Sequence, residues 1–200
     1  FGIAPYYREL WVLESLPSWT LVALTLFLYF RNIRFSDISY FLIFFVCFIV
    51  TLGAHYSYAE VPFAWFNDAL DSWAFWSSDL RVFVHRGRNG FDRVGHFCIG
   101  LLAFPLLEWI EMKKVSSSRF FVGLMTLMFF FGVAAIYEIF EWFYAAMLST
   151  SDSTATAFLG EQGDQWDAQK DMALDGLGAL LSMIAYGFVS FFRGPWNGRS

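Results

Sequence analysis

Tyr40-Phe41-Leu42-Ile43-Phe44-Phe45-Val46-Cys47-Phe48-Ile49-Val50 contains no ionisable group beyond one phenol and one thiol. Extended to Asp37 and Ala54, the stretch rises about 1.5 Å per residue as an α-helix, enough to cross most of a hydrocarbon core of about 30 Å. A helix is also the form in which a single segment satisfies its backbone N–H and C=O groups without water. These residues predict a membrane-spanning helix, and the composition extends that reading to the whole chain. Apolar residues make up 58%, charged residues 16%, and there are 26 Phe, which is not the make-up of a water-soluble domain.

Working outward, four further runs repeat the pattern. Trp11 to Phe30 forms the first span, with Pro17 in its early turns where a helix tolerates it, and Arg31 and Arg34 follow it. Residues 55–90 make a long connection rich in Trp and Asp. Within the 60–85 part, Phe66, Leu70 and Trp73 recur at helical spacing opposite Asn67, Asp68 and Asp71. That pattern suits an amphipathic helix in the headgroup region, or one packed on the mouth of the bundle. The third span runs from Phe91 to Ile110. The fourth, Arg119 to Leu148, exceeds a bilayer core and must tilt or protrude. Ser149 to Thr156 reads as a polar linker. The fifth runs from Gln169 to Phe192 and stops at Arg193-Gly194-Pro195. The expected fold is an all-α polytopic transmembrane bundle of about five spans, forming a single transmembrane domain over residues 1–200.

Charge sets the orientation and removes one function class. A net charge of -5, with no basic stripe, excludes nucleic-acid binding. Arg31, Arg34, Lys113, Lys114, Arg119, Arg193 and Arg199 fall on one side if the spans alternate, which makes that side cytoplasmic. Arg81, Arg86 and Arg88 oppose this, but acids are interleaved with them and their loop is long. Cys47 and Cys98 sit inside apolar runs and read as small buried hydrophobes. The chain begins at Phe1 and shows no cleavable signal peptide, so further residues are expected upstream.

Acids then appear where a bilayer least tolerates them. Asp92 and His96 are spaced i, i+4; Glu138 and Glu141 i, i+3; Asp167, Asp171 and Asp175 advance by four. Each set shares a helix face, and with His55 at the end of the second span all reach the outer half of the bundle. Intramembrane ionisable groups are functional candidates by default. Histidines and carboxylates from neighbouring helices match the inventory of carboxylate-bridged metal sites in four-helix bundles, although the usual Glu-x-x-His pair is absent. Oxygen-rich ligation without thiolate suits Mg, Ca, Mn or Fe.

Plainer readings stand beside this one. Asp164 after Gly163 fits a helix N-cap, with Asp167 as a helix-dipole acid. Arg88 and Arg93 would neutralise some of the acids in an unmetallated salt-bridge network. His96 alone fits a satisfied core histidine, and His85, beside Arg86, a solvated one. Gly95, Gly100, Gly123, Gly132, Gly176 and Gly178 suit close helix contacts. There is no phosphate-binding Gly loop and no G-x-S-x-G elbow, and Ser182 has no adjacent base.

Four stretches carry a resemblance: His55-Tyr56-Ser57-Tyr58-Ala59-Glu60-Val61-Pro62; Arg88-Asn89-Gly90-Phe91-Asp92-Arg93-Val94-Gly95-His96-Phe97; Tyr137-Glu138-Ile139-Phe140-Glu141-Trp142; and Phe158 through Met172. Together with Glu14 and Pro17 they resemble bacterial inner-membrane proteins of the YjdF type over most of the chain. A weaker similarity, Asp92 to His96 followed by distant acids, is to VanZ-like membrane proteins. The resemblance implies the inner membrane and six spans, one of them before Phe1, but no reaction. It also groups His55, Tyr56, Tyr58 and Glu60 with the acids.

The expectation is a divalent-metal site near the periplasmic face, formed by His55, Asp92, His96, Glu138, Glu141, Asp167, Asp171 and Asp175. Such a site suits metal-assisted chemistry on a membrane lipid or small envelope substrate. The rival class is a non-catalytic subunit of a larger membrane complex, for which the Phe and Trp excess supplies contact surface. A small transporter fits less well, since the acids lie to one side and no inverted repeat is evident.

Overall fold

The computed structural model describes residues 1–74, 88–147 and 162–193. These residues form seven helices: α1 Arg8–Phe30, α2 Asp37–His55, α3 Ala64–Ala74, α4 Phe91–Gly100, α5 Ala103–Lys113, α6 Arg119–Met147 and α7 Asp167–Arg193. Helices α1, α2, α6 and α7, with α4 and α5 together as one segment, give five spans long and apolar enough to cross a bilayer. The segment α3 is the expected amphipathic helix of the long connection. It is tied to the start of α4, where Asn67 Oδ1 accepts a hydrogen bond from the Gly90 amide at 3.1 Å. The linker at 149–156, His85, and the chain beyond Arg193 lie outside the described residues.

The third span is present from Phe91 to Lys113, and its helix is interrupted at Leu101 and Leu102. Helix α4 ends at Gly100, and the chain tightens through Leu101 and Leu102, whose amides donate to the Cys98 and Ile99 carbonyls at 3.0 Å. Pro105 is the physical reason: it has no N–H to offer the carbonyl four residues earlier, and its ring crowds that carbonyl. That carbonyl belongs to Leu101; it accepts instead from the Phe104 amide at 3.2 Å and from the Ser182 hydroxyl of α7 at 2.8 Å. Ser182 is thus accounted for as a structural donor.

Helix α4 lies at the centre. It packs along α2 on one side and α7 on the other, while α1 packs along α2, and α6 along α7 and α5. Two small apolar clusters hold these contacts, one of Val46, Val50 and Cys98, the other of Ala103, Phe130 and Ala179. Both cysteines are free. Outward faces are apolar instead of polar, with Phe44, Phe120, Ile136, Phe188 and Phe191 all exposed, as helices facing lipid require.

The α4/α7 contact is made by backbone. A Cβ on Gly100 would run into the Asp175 carbonyl and the Ala179 amide, and one on Gly178 into the Phe97 carbonyl. Gly95 and Gly176 instead make room for the rings of Tyr58 and Phe131, and Gly123 faces the Met183 methyl. Gly132 departs from expectation, since a Cβ there meets nothing within 4 Å. At the opposite end from the acids, Glu108 is buried and fully used. It accepts from the Ser36 amide at 2.9 Å, the Ser36 hydroxyl at 3.1 Å and the Ser39 hydroxyl, all at the N-terminus of α2, where the helix dipole favours an anion.

Gly100→Ala and Gly178→Ala should each lower the unfolding midpoint in detergent, by an overpacking cost on the order of 1–3 kcal/mol. Gly132→Ala, in open space, should leave the midpoint unchanged or raise it. Equal effects at all three positions would contradict close α4/α7 backbone contact.

Candidate functional site

His96 is the hub of the acid cluster. One turn after Asp92 on α4, it is 4% exposed and faces the opening turns of α7. Its Nδ1 lies 2.7 Å from Asp175 Oδ2, a hydrogen bond that places the proton of a neutral imidazole on Nδ1. The lone pair of Nε2 then looks toward Glu138 Oε1 at 3.5 Å and Asp92 Oδ1 at 3.7 Å. Those separations are long for hydrogen bonds, but they suit two ligands sharing a cation about 2.0–2.4 Å from each. Ligand atoms of Asp92, His96 and Asp171 all lie within 4.8 Å of one another.

The surrounding acceptors are short of donors. Among the described residues, Glu138 Oε1, Asp171 Oδ1 and Asp175 Oδ1 are buried without a hydrogen-bond partner. A buried acceptor left unsatisfied costs about 1–3 kcal/mol, and more when charged. Glu108, at the other end of the bundle, shows how the fold treats a carboxylate it merely stores. Glu141 lies within electrostatic reach of Asp92, Glu138, His96 and Asp171.

A second layer of charge lies above the first and is balanced by cations. Arg88 pairs with Asp167 and reaches Asp92 at 3.4 Å. Arg93 pairs with Asp164 at 2.6 Å and reaches Asp167 at 3.5 Å, while Lys170 meets Asp164 at 2.5 Å. The salt-bridge reading therefore describes Asp164 and Asp167, with Asp92 at the edge of the same network. Asp164 also accepts from the Trp166 amide at 3.1 Å, so it shapes the turn into α7 from three residues before the helix begins. Burial alone would raise its carboxyl. The hydrogen bonds from Lys170, the Trp166 amide and Arg93 outweigh that and hold it at about 2.

Of the residues expected at the site, Asp92, His96 and Asp171 bring ligand atoms within 4.8 Å of one another, and Glu138 Oε1 lies 3.5 Å from His96 Nε2. Asp175 orients His96, and Asp167 is engaged by Arg88. His55 is placed apart: its Nδ1 lies 2.6 Å from the Phe1 carbonyl, and its ring meets those of Phe1 and Tyr56.

Three residues absent from the expected ligand set also border the cluster. Glu14, on α1, is 3% exposed. Its signal in the sequence was a carboxyl just inside an apolar span. Tyr58 follows Ser57 with both residues at positive φ, 50° and 51°, a backbone conformation that persists only when surroundings enforce it. Here the Tyr58 ring is seated against Gly53 and Gly95. Burial pushes its phenol well up, and the charges of Glu14, Asp92 and Glu141 push it further. Tyr137 sets its ring edge-on to His96, with centroids 6.0 Å apart.

Asn89 holds the rim. Its side-chain amide donates to the carbonyls of Ala59 at 2.9 Å and Val61 at 2.7 Å. Its backbone exchanges hydrogen bonds with the Gln162 side chain at 2.8 and 3.1 Å. One residue thereby ties together the segments that precede α3, α4 and α7.

Residues 1–190 match the family described as predicted membrane protein (DUF2238), and the chain belongs to that family. It is 30% identical over 184 residues to the inner membrane protein YjdF of Escherichia coli strain K12, covering 92% of this chain and 80% of that protein. No solved structure matches. The chain is accordingly a multi-pass protein of the bacterial inner membrane.

Because Asp164 is held below its ordinary value of 3.8, its contribution to stability is complete above that pH and is lost as pH falls toward about 2. The unfolding midpoint of Asp164→Asn should lie below that of the parent at neutral pH, and the gap should close between pH 4 and 2. A gap that stays constant over that window would show that the carboxylate charge is not what Lys170 and Arg93 hold.

Proposed function

We propose that this protein binds a divalent metal ion at Asp92, His96, Glu138 and Asp171 and uses it on a membrane lipid or small envelope substrate at the periplasmic face. The observation that carries the reading is His96: Asp175 fixes its Nδ1, and its Nε2 is directed at carboxylate oxygens that have no donor of their own. Carboxylates that accept from the far ring nitrogen orient metal-bound histidines in this way. Three carboxylates with one imidazole favour Mn or Fe, with Mg and Ca the oxygen-preferring alternatives.

A bound divalent ion would supply Lewis acidity and lower the pKa of an attached water. The chain's own residues would do the rest. Asp175 sets the tautomer of His96. Arg88, reaching both Asp167 and Asp92, holds Asp92 against the start of α7. Asp92 and Glu138 are the more accessible members, with side chains 16% and 13% exposed against 5% for His96, so the site opens on their side. Arg31 and Arg34 after α1, Lys113 and Lys114 at the end of α5 and Arg119 at the start of α6 favour the opposite end as cytoplasmic, which puts this opening at the periplasmic headgroups.

Full-length protein purified in detergent and dialysed against Mn, Fe or Mg should retain about one divalent ion per chain by elemental analysis. His96→Ala and Asp171→Asn should abolish retention, and Asp175→Asn should weaken metal affinity by roughly 10–100-fold without changing saturating stoichiometry. Protein that holds no divalent ion, or variants that hold as much as the parent, would remove the metal reading. Mass spectrometry of membrane lipids incubated with the loaded protein should show a product that His96→Ala does not form; its absence would remove the enzymatic reading and leave the metal one.

A further inference from the structure

Charge at this end of the bundle is balanced unevenly. Arg88, Arg93 and Lys170 engage Asp92, Asp164 and Asp167, all at the start of α4 and the start of α7. Glu14 stands on α1, which packs along α2. It is buried to 3%, its Oε1 receives only a long hydrogen bond of 3.5 Å from the Ser57 hydroxyl, and its Oε2 is buried with no partner. Among the described residues, the ion pairs of Arg88, Arg93 and Lys170 are made with Asp92, Asp164 and Asp167, and none is made with Glu14. Tyr58 follows Ser57, whose hydroxyl reaches Glu14, and its ring lies against Gly95 beside His96; Tyr137 sets its ring edge-on to His96 and stands one helical turn before Glu141. By their packing the helices follow the order α1, α2, α4, α7 and α6, so Glu14 and Glu141 belong to the first and last helices of that series.

We propose that Glu14, Glu141, Tyr58 and Tyr137 form a recess beside the metal position that binds the primary ammonium headgroup of a membrane phospholipid. A buried carboxylate oxygen without a donor calls for a ligand that brings N–H groups, and a primary ammonium brings three. Phenol oxygens accept such bonds, and aromatic faces attract the same charge. Neutral phenols ligate a hard divalent ion poorly, which separates this recess from the His96 position. A quaternary ammonium would match the charge but leave Glu14 Oε2 without a donor. Glu14 and Glu141 lie about two turns inside the ends of α1 and α6, a depth that a lipid headgroup reaches from the bilayer.

The test uses the full chain in detergent micelles containing equal amounts of dioleoyl phosphatidylethanolamine and dioleoyl phosphatidylcholine, read by native mass spectrometry. The parent should retain the ethanolamine lipid over the choline lipid by about tenfold or more, the scale of one or two charge-assisted hydrogen bonds. Glu14→Gln and Glu141→Gln should each erase that preference while metal content, measured on the same samples, stays as in the parent. Equal retention of the two lipids by the parent overturns the proposal without needing any variant. A preference that survives both substitutions also overturns it, as does a second bound metal ion lost in Glu14→Gln, or competition by free ethanolamine without lipid discrimination. Loss of metal from the parent with lipid preference intact would count against the metal site and not against this recess.

Discussion

The hydrogen bond between His96 and Asp175 is the interaction on which the rest of this end of the bundle depends. Among the described residues, Glu14, Asp92, Glu138, Glu141, Asp164, Asp167, Asp171 and Asp175 stand against three permanent cations, Arg88, Arg93 and Lys170. Carboxylates removed from water must be paired, protonated or bound to a cation. The fold divides the task. The cations balance the layer nearest the helix ends, and the deeper layer is arranged around one imidazole whose second nitrogen is left facing acids. Releasing Asp175 would free that ring to turn and would undo the one directional feature of the cluster.

Helix geometry serves the same end. Gly100 and Gly178 let α4 and α7 touch backbone to backbone, and the Asp175 carbonyl is itself one of the atoms that a Cβ on Gly100 would strike. The approach that seals the helices therefore also sets Asp175 against His96. Pro105 interrupts the third span, and Ser182 of α7 donates to the Leu101 carbonyl that Pro105 has no N–H to meet. The interruption thus adds a polar bond between this span and α7.

Much of this was legible in the residues. Apolar run lengths gave five spans because a bilayer punishes unpaired backbone, and spacing along helices 4, 6 and 7 put Asp92 with His96, Glu138 with Glu141, and Asp171 with Asp175 on common faces. What spacing could not convey was partition. Asp167 and Asp175 share a face, yet one meets an arginine and the other a histidine, because that depends on how deep each lies beside α4. His55 had the right residue type and the right end of the bundle, but the N-terminal segment claims it through Phe1. Glu14 was the converse: a lone acid in an apolar run has no periodic partner, so only the three-dimensional arrangement brings it to Asp92. The break at Leu101 was within reach, since Pro105 sits in the interior of the span, where loss of one backbone bond must be made good elsewhere.

The central claim is that the Nε2 face of His96 is a ligand directed at a divalent ion among carboxylates. Pulsed electron paramagnetic resonance of the full-length protein loaded with Mn(II) reports that contact directly. The account predicts nitrogen modulation from a single imidazole, which disappears in His96→Gln. Bound Mn(II) with no nitrogen coupling, or coupling that survives the substitution, would contradict it.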